Sequence, residues 1–156
     1  MLTAAAERVA DTAFAQWAMS SPWAYPAANV VHVLALVLLL GGIALVDLRV
    51  LGLFRRIPLQ PLSASLIPIA ATGVLILAAS GSVLFAADAK SLAESGTFRL
   101  KLALIAIALA NVALFRWRYG RVMPARPPTG ARLLALTSLL LWTSVAVAGR
   151  LIAYSE

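Results

Sequence analysis

The only histidine of the chain, His32, lies within a long apolar segment that holds almost no charge. A titratable side chain in such a segment is costly in a bilayer, so it needs a polar partner, a cavity or a ligand. The ring lies about five residues inside the outer end of its segment, which is roughly 7–8 Å along a helix. The chemistry open to this chain therefore depends first on what His32 contacts.

Helix rise places several other polar side chains at the depth of His32. They come from the other apolar segments: Ser82, Arg99, Lys101 and Arg150. One imidazole with several cations and few acids is an incomplete set for a proton relay. The same set matches a b-type heme, in which His32 would be the axial metal ligand and the cations would bind the two propionates. Gly81 would leave room for a flat macrocycle.

A histidine in a helical bundle has a second common role, which needs no cofactor. His32 would then hydrogen-bond to a neighbouring polar group, Ser82 or Asn29. The cations would in that case extend to the phosphates of phospholipids.

Three further polar or amphipathic side chains fall within the apolar segments. We expect Asp47 to pair with Arg49 or with an arginine at the end of the third segment. We expect Asn111 to form an interhelical hydrogen bond. Trp142 lies in the middle of its segment, far from the aromatic belts at the membrane surface, and is predicted to pack in the core.

Four apolar segments position these residues, and each is long enough to cross a hydrocarbon core of roughly 30 Å. The chain has 156 residues, of which 62% are hydrophobic, and a mean hydropathy of +0.93. We predict an all-α fold with one transmembrane domain over residues 1–156. It would be a four-helix bundle with an N-terminal amphipathic helix, residues 2–18, lying in the membrane interface or packed on the bundle. The predicted spans are about 27–48, 61–87, 98–117 and 133–154.

Small residues recur at helical spacing and form a face on two of these spans, and the face on the second span is predicted to pack against another helix. On the second span they are Ala71, Ala78 and Ser82, and on the third they are Ala103, Ala106, Ala110 and Ala113. Both faces would leave room for a macrocycle.

Charge and cysteine content exclude several classes of function. The net charge is +7, but the arginines lie in short segments around the spans and form no nucleic-acid-binding pattern. Their excess after the first and third spans predicts a cytoplasmic location for those loops, with both termini in the periplasm of a bacterium. The absence of cysteine excludes thiolate metal sites, iron–sulfur clusters and covalently attached heme. No triad, dyad or metal cluster for hydrolysis is evident.

Three short motifs carry a resemblance to known membrane proteins. They are His32 with Gly41, Gly42 and Arg49; Pro68 with Gly73; and Phe98 to Lys101 with Asn111. With them the chain resembles a broad group of small bacterial membrane proteins that includes the copper-resistance D type and the J-type protoporphyrinogen oxidase. It also resembles uncharacterised four-span bacterial proteins that end in a sequence like that of residues 149–154.

The oxidase resemblance implies a b-type heme and two functional residues. These are a histidine on the first span and a lysine that opens a later span, roles that correspond to His32 and Lys101. That family has a further histidine-containing stretch where Asn111 and Val112 stand here, a departure that counts against protoporphyrinogen oxidation.

Our leading hypothesis is a multi-pass protein of the bacterial inner membrane that binds one heme b near its periplasmic face for electron transfer or redox chemistry. His32 would be the axial ligand, with Ser82, Arg99, Lys101 and Arg150 around the cofactor. The alternative is a cofactor-free accessory or stabilising subunit of a larger membrane complex. A small transporter or channel is a third hypothesis, disfavoured because the spans lack a polar path.

Overall fold

The structure is a computed structural model that describes residues 2–120 and 126–152, and the described part is helical without strands. The helices are α1 Leu2–Ala10, α2 Ala13–Ser20, α3 Ala24–Leu51, α4 Leu59–Ala87, α5 Ala89–Glu94, α6 Gly96–Tyr119 and α7 Thr129–Ile152. Four of them, α3, α4, α6 and α7, are long and apolar enough to cross a membrane. The all-α prediction is confirmed. The predicted end of the fourth span, residue 154, lies outside the described residues.

The N-terminal segment forms two helices instead of the single predicted helix over residues 2–18. Thr12 begins the second helix, because its hydroxyl accepts a hydrogen bond from the Ala15 N–H at 3.3 Å, which is the role of an N-cap. Both helices pack on the bundle. Buried Ala6 contacts α5, and Ala15 and Ala18 contact the C-terminal end of α4. We call this end of the bundle, where α1 and α2 lie, the outer end, and the opposite end the inner end. The short helix α5 lies between the second and third predicted spans.

The four spans are arranged in the order α4, α3, α7, α6. Contacts join α3 to α4, α3 to α7 and α6 to α7, but no Cα atom of α4 approaches one of α6 within 8 Å. Side chains from all four spans still meet in a central core that includes Leu39, Ala70, Ala108, Trp142 and Val145. The backbones of α4 and α6 therefore stay apart, and the gap between them is bridged at one end of the bundle, where the Phe85 ring of α4 stacks on the Phe98 ring of α6 with centroids 5.5 Å apart.

Glycines bring α3 and α4 into direct backbone contact. A Cβ atom on Gly73 would lie 2.8 Å from the Leu39 nitrogen and 2.9 Å from the Ala35 oxygen. A Cβ atom on Gly42 would lie 3.0 Å from the Leu66 oxygen. In lipid, such close van der Waals packing is what holds helices together, because apolar side chains gain little by leaving apolar lipid.

The predicted small-residue faces do not pack inside the bundle. On α4, the buried small residues are Ala70, Gly73 and Ser80. The predicted residues Ala71, Ala78 and Ser82 are exposed, as are Ala103, Ala106, Ala110 and Ala113 on α6. The packing contacts predicted for Ala71, Ala78 and Ser82 therefore do not occur within the described bundle, because helical spacing groups residues on a face without saying whether that face meets protein or lipid.

Replacing Gly73 by alanine should destabilise the protein. The added methyl group meets backbone on both sides, so α3 and α4 must separate, and overpacking of this kind costs about 1–3 kcal/mol. The free energy of unfolding in mixed micelles, followed by circular dichroism, measures the change. Gly41→Ala is the matched control, because a Cβ atom there meets nothing within 4 Å. Equal stability of the two variants would contradict the assigned α3–α4 contact.

Candidate functional site

His32 is positioned on the side of α3 that faces α4. Its Nδ1 atom lies 2.9 Å from the hydroxyl oxygen of Ser80. Neither of the partners expected from the sequence is used, since Asn29 and Ser82 are both exposed. The Ser82 hydroxyl instead donates to the Ala79 carbonyl of its own helix at 2.7 Å.

The hydrogen bonds of Ser80 indicate which nitrogen of the His32 ring carries the proton. The Ser80 hydroxyl lies 2.7 Å from the Ile76 carbonyl, which can only accept a hydrogen bond. A hydroxyl has one proton, and the Ile76 oxygen is closer to Ser80 Oγ than His32 Nδ1 is, so we assign that proton to the Ile76 bond and Nδ1–H as the donor to Ser80. The other ring nitrogen, Nε2, then carries a lone pair. Among the described residues, no group forms a hydrogen bond to it.

The ring also lies directly against the backbone of α4. A Cβ atom on Gly81 would be 3.3 Å from His32 Cε1 and 3.7 Å from Nδ1. The distance of 3.3 Å to Cε1 is shorter than an ordinary van der Waals contact. The imidazole therefore occupies space that is open because residue 81 has no side chain. Ser80 and Gly81 together hold the ring in one orientation.

Lys101 is the second chemically active group in this outer layer of the bundle. Its ammonium is close enough to His32 to interact electrostatically with the ring. Its side chain lies along Gly149 of α7, where a Cβ atom would be 3.5 Å from Lys101 Cε and Nζ. No hydrogen bond or ion pair of the Lys101 ammonium occurs within the described residues. The imidazole of His32 and the ammonium of Lys101 therefore lie in the same outer layer of the bundle.

The remaining predicted site residues lie on exposed surface. Arg99 is exposed near the start of α6 and donates from Nη2 to the Glu94 carbonyl at 3.2 Å. Arg150 is exposed near the end of α7, and Ser82 is exposed on α4. The structure thus brings together His32 and Lys101, and it adds Ser80, which sequence spacing alone did not identify.

A second polar layer lies in the inner half of the bundle. The Asn111 amide donates to the Leu134 carbonyl of α7 at 3.1 Å, which confirms the predicted interhelical bond. Trp142 packs in the core, as predicted. The expected Asp47–Arg49 pair is wrong, because the buried Arg49 donates from Nε to the Ile57 carbonyl at 2.6 Å.

A metal site made from protein ligands alone is not present in the described residues. They contain no group of three or more His, Cys, Asp or Glu side chains that could hold an ion.

The fold and these two layers define a multi-pass helical membrane protein. Comparisons of the chain with protein-family models, with curated proteins and with solved structures find no match. The resemblance to the copper-resistance D type and to the J-type oxidase therefore stays a prediction.

We expect nuclear magnetic resonance of the protein labelled with ¹⁵N-histidine to show the Nδ1–H tautomer. The chain has one histidine, so the spectrum reports a single ring. Ser80→Ala should remove the preference for this tautomer, because it removes the acceptor of the Nδ1 proton. Ser82→Ala is the control and should leave the spectrum unchanged. A ring protonated at Nε2 in the wild type would contradict the hydrogen-bond assignment.

Proposed function

We propose that the protein binds a b-type heme in the outer half of the bundle, with Nε2 of His32 as axial ligand, and serves electron transfer or redox chemistry there. The observation that carries this proposal is the orientation of the ring. Histidines that ligate metals donate their second N–H to a fixed acceptor, which orients the ring and increases its basicity. Ser80 and the Ile76 carbonyl behind it provide such an acceptor.

Lys101 supports the same proposal through its charge. A heme carries two propionates, and a cation that lacks a protein partner in the described residues can neutralise one of them. Arg99 and Arg150 are exposed nearer the outer end of the bundle and would serve the carboxylate that lies closer to the surface.

Each residue of the outer layer has a defined task in this proposal. Ser80 orients the imidazole through a hydrogen bond, and Gly81 lets the ring pack against the backbone of α4. Lys101 contributes a positive charge near the ring. A bound heme would supply the ferric–ferrous couple for one-electron transfer.

The proposed location is the bacterial inner membrane, with both termini in the periplasm. The arginines near the inner ends of the spans support this orientation. The exposed Arg55 also donates from Nε to the Gly52 carbonyl at 3.0 Å, which orders the loop between α3 and α4 on that side.

Absorption spectroscopy tests heme binding directly. Protein purified from cells supplied with a heme precursor should show a Soret band that His32→Ala abolishes. Ser80→Ala should weaken heme affinity about 10–100-fold, which is typical for loss of a group that orients a metal-ligating histidine. Ser82→Ala, two residues along the same helix, should leave affinity unchanged. No Soret band in the wild type, even after addition of hemin, would refute the proposal.

A cofactor-free accessory subunit is the second candidate function. The bond between His32 and Ser80 favours it, because this bond satisfies the ring without a metal. Purification of the protein from native membranes in mild detergent discriminates between the heme-binding redox function and the accessory subunit. A stoichiometric membrane partner together with the absence of a Soret band would favour the subunit, whereas a heme-loaded protein alone or with a redox partner would favour the redox function.

The orientation of the protein in the membrane can be tested by cysteine labelling, because the chain has no native cysteine. Lys90→Cys and Arg56→Cys introduce single thiols at exposed positions at opposite ends of the bundle. A membrane-impermeant maleimide should label Lys90→Cys on intact spheroplasts and Arg56→Cys only after lysis. The reverse pattern would place the termini in the cytoplasm.

A further inference from the structure

A cavity of ≈ 360 Å³ lies in the inner half of the bundle, and side chains from α3, α4, α6 and α7 line it. Its volume is within the range of about 300–1,000 Å³ found for small-molecule pockets. Most lining side chains are apolar, and two are aromatic, Phe115 and Trp142. The cavity is thus large enough for a small apolar molecule.

Three buried polar atoms at this cavity have no hydrogen-bond partner among the described residues. They are Asp47 Oδ2, Ser138 Oγ and Trp142 Nε1. Their residues are 6%, 4% and 3% exposed and all line the cavity. Ser138 lies close enough to Asp47 for the two side chains to interact, yet Ser138 Oγ and Asp47 Oδ2 both lack a geometrically defined hydrogen bond within the described residues. Unpaired polar atoms are costly in a protein interior, so three at one cavity point to a ligand.

Other polar groups near this cavity do have partners. Asn111 also lines it but donates to the Leu134 carbonyl. The buried Arg49 two residues after Asp47 donates to carbonyls of the α3–α4 loop. Neighbouring polar groups at the same end of the bundle are therefore satisfied by the protein itself.

The unpaired atoms restrict the chemistry of the ligand. Trp142 Nε1 can only donate, an ionised Asp47 can only accept, and the Ser138 hydroxyl can do either. A hydroxyl group meets both needs, because its hydrogen donates and its oxygen accepts. A cation would satisfy Asp47 alone, and Arg116, which lines the same cavity, would repel it.

The route to the cavity leads from the hydrocarbon core of the bilayer. Exposed Ile67 and Leu75 on α4 and exposed Leu109 on α6 line the cavity, and no Cα atoms of these two helices lie within 8 Å of each other. A molecule that enters there must be soluble in lipid and carry an apolar body.

We propose that this cavity binds a lipid-soluble aromatic alcohol, of the phenol or hydroquinone class, with its hydroxyl at Asp47, Ser138 and Trp142. The aromatic head would pack beside Phe115 and Trp142, and an alkyl tail would leave between α4 and α6. The site lies at the opposite end of the bundle from His32, so it does not rest on the heme proposal.

Fluorescence of Trp142 tests the proposal in lipid nanodiscs. The exposed residues Trp17, Trp23 and Trp117 are first replaced by phenylalanine, so that Trp142 is the only indole. We expect a saturable change with 4-hexylphenol and at least tenfold weaker binding of hexylbenzene. The methyl ether 4-hexylanisole accepts but cannot donate, and it should bind more weakly than the phenol. Tighter binding of 2-hexylhydroquinone than of 4-hexylphenol would identify a quinol as the preferred source of the hydroxyl.

Two variants examine the polar contacts. Asp47→Leu and Ser138→Ala should each weaken 4-hexylphenol binding about tenfold and leave hexylbenzene unaffected. Thr137→Ala is the control for Ser138→Ala, because Thr137 is exposed on the same helix. Equal affinity for the phenol and hexylbenzene in the tryptophan-reduced protein, or no saturable change with either, would overturn the proposal. That comparison needs neither polar variant, so it decides the matter even where one of them fails to fold.

Discussion

The central constraint on this protein is that hydrocarbon offers no hydrogen bonds to a buried polar group. Each polar side chain within a span must therefore find a partner inside the protein, and this need sets the register between helices. The His32–Ser80 bond joins α3 to α4 in the outer half, and the Asn111–Leu134 bond joins α6 to α7 in the inner half. The two bonds each connect one helical hairpin. The polar residues thus fix pairs of helices that apolar packing alone would leave free to slide, because one leucine contact in lipid resembles another.

The hairpins differ in how closely their backbones approach, and this difference leaves one side of the bundle open. Gly42 and Gly73 bring the backbones of α3 and α4 into contact, whereas α6 joins the bundle through α7. Because α7 contacts α3, the four spans form an arc that ends at α4 on one side and α6 on the other. Side chains such as Ala70 and Ala108 still share one core across this opening. The inner polar layer can consequently be reached between α4 and α6, whereas Phe85 and Phe98 stack across this gap near the outer layer.

Most of the helical architecture could be predicted from the sequence, because length and hydropathy determine which segments can span a bilayer. The predicted roles of Asn111 and Trp142 also followed from their positions within a span. The inward faces could not be predicted, since core and lipid are equally apolar and small residues occur on both. Ser82 was expected at the site, but Ser80 is there, because two residues along a helix point about 200° apart. The same geometry separates Asp47 from Arg49, which faces the loop.

The contrast between satisfied and unsatisfied groups bears on what the protein does. Asn111 and Arg49 obtain partners from nearby carbonyls, so this fold is able to complete hydrogen bonds where only structure is required. The ammonium of Lys101 and the carboxylate oxygen Oδ2 of Asp47 lack such partners in the described residues. A purely structural subunit would be more stable with apolar residues at these positions, because unpaired polar groups weaken a bundle in lipid. These two unpaired groups lie inside the bundle. Their presence therefore favours a protein in which bound molecules supply the missing hydrogen bonds.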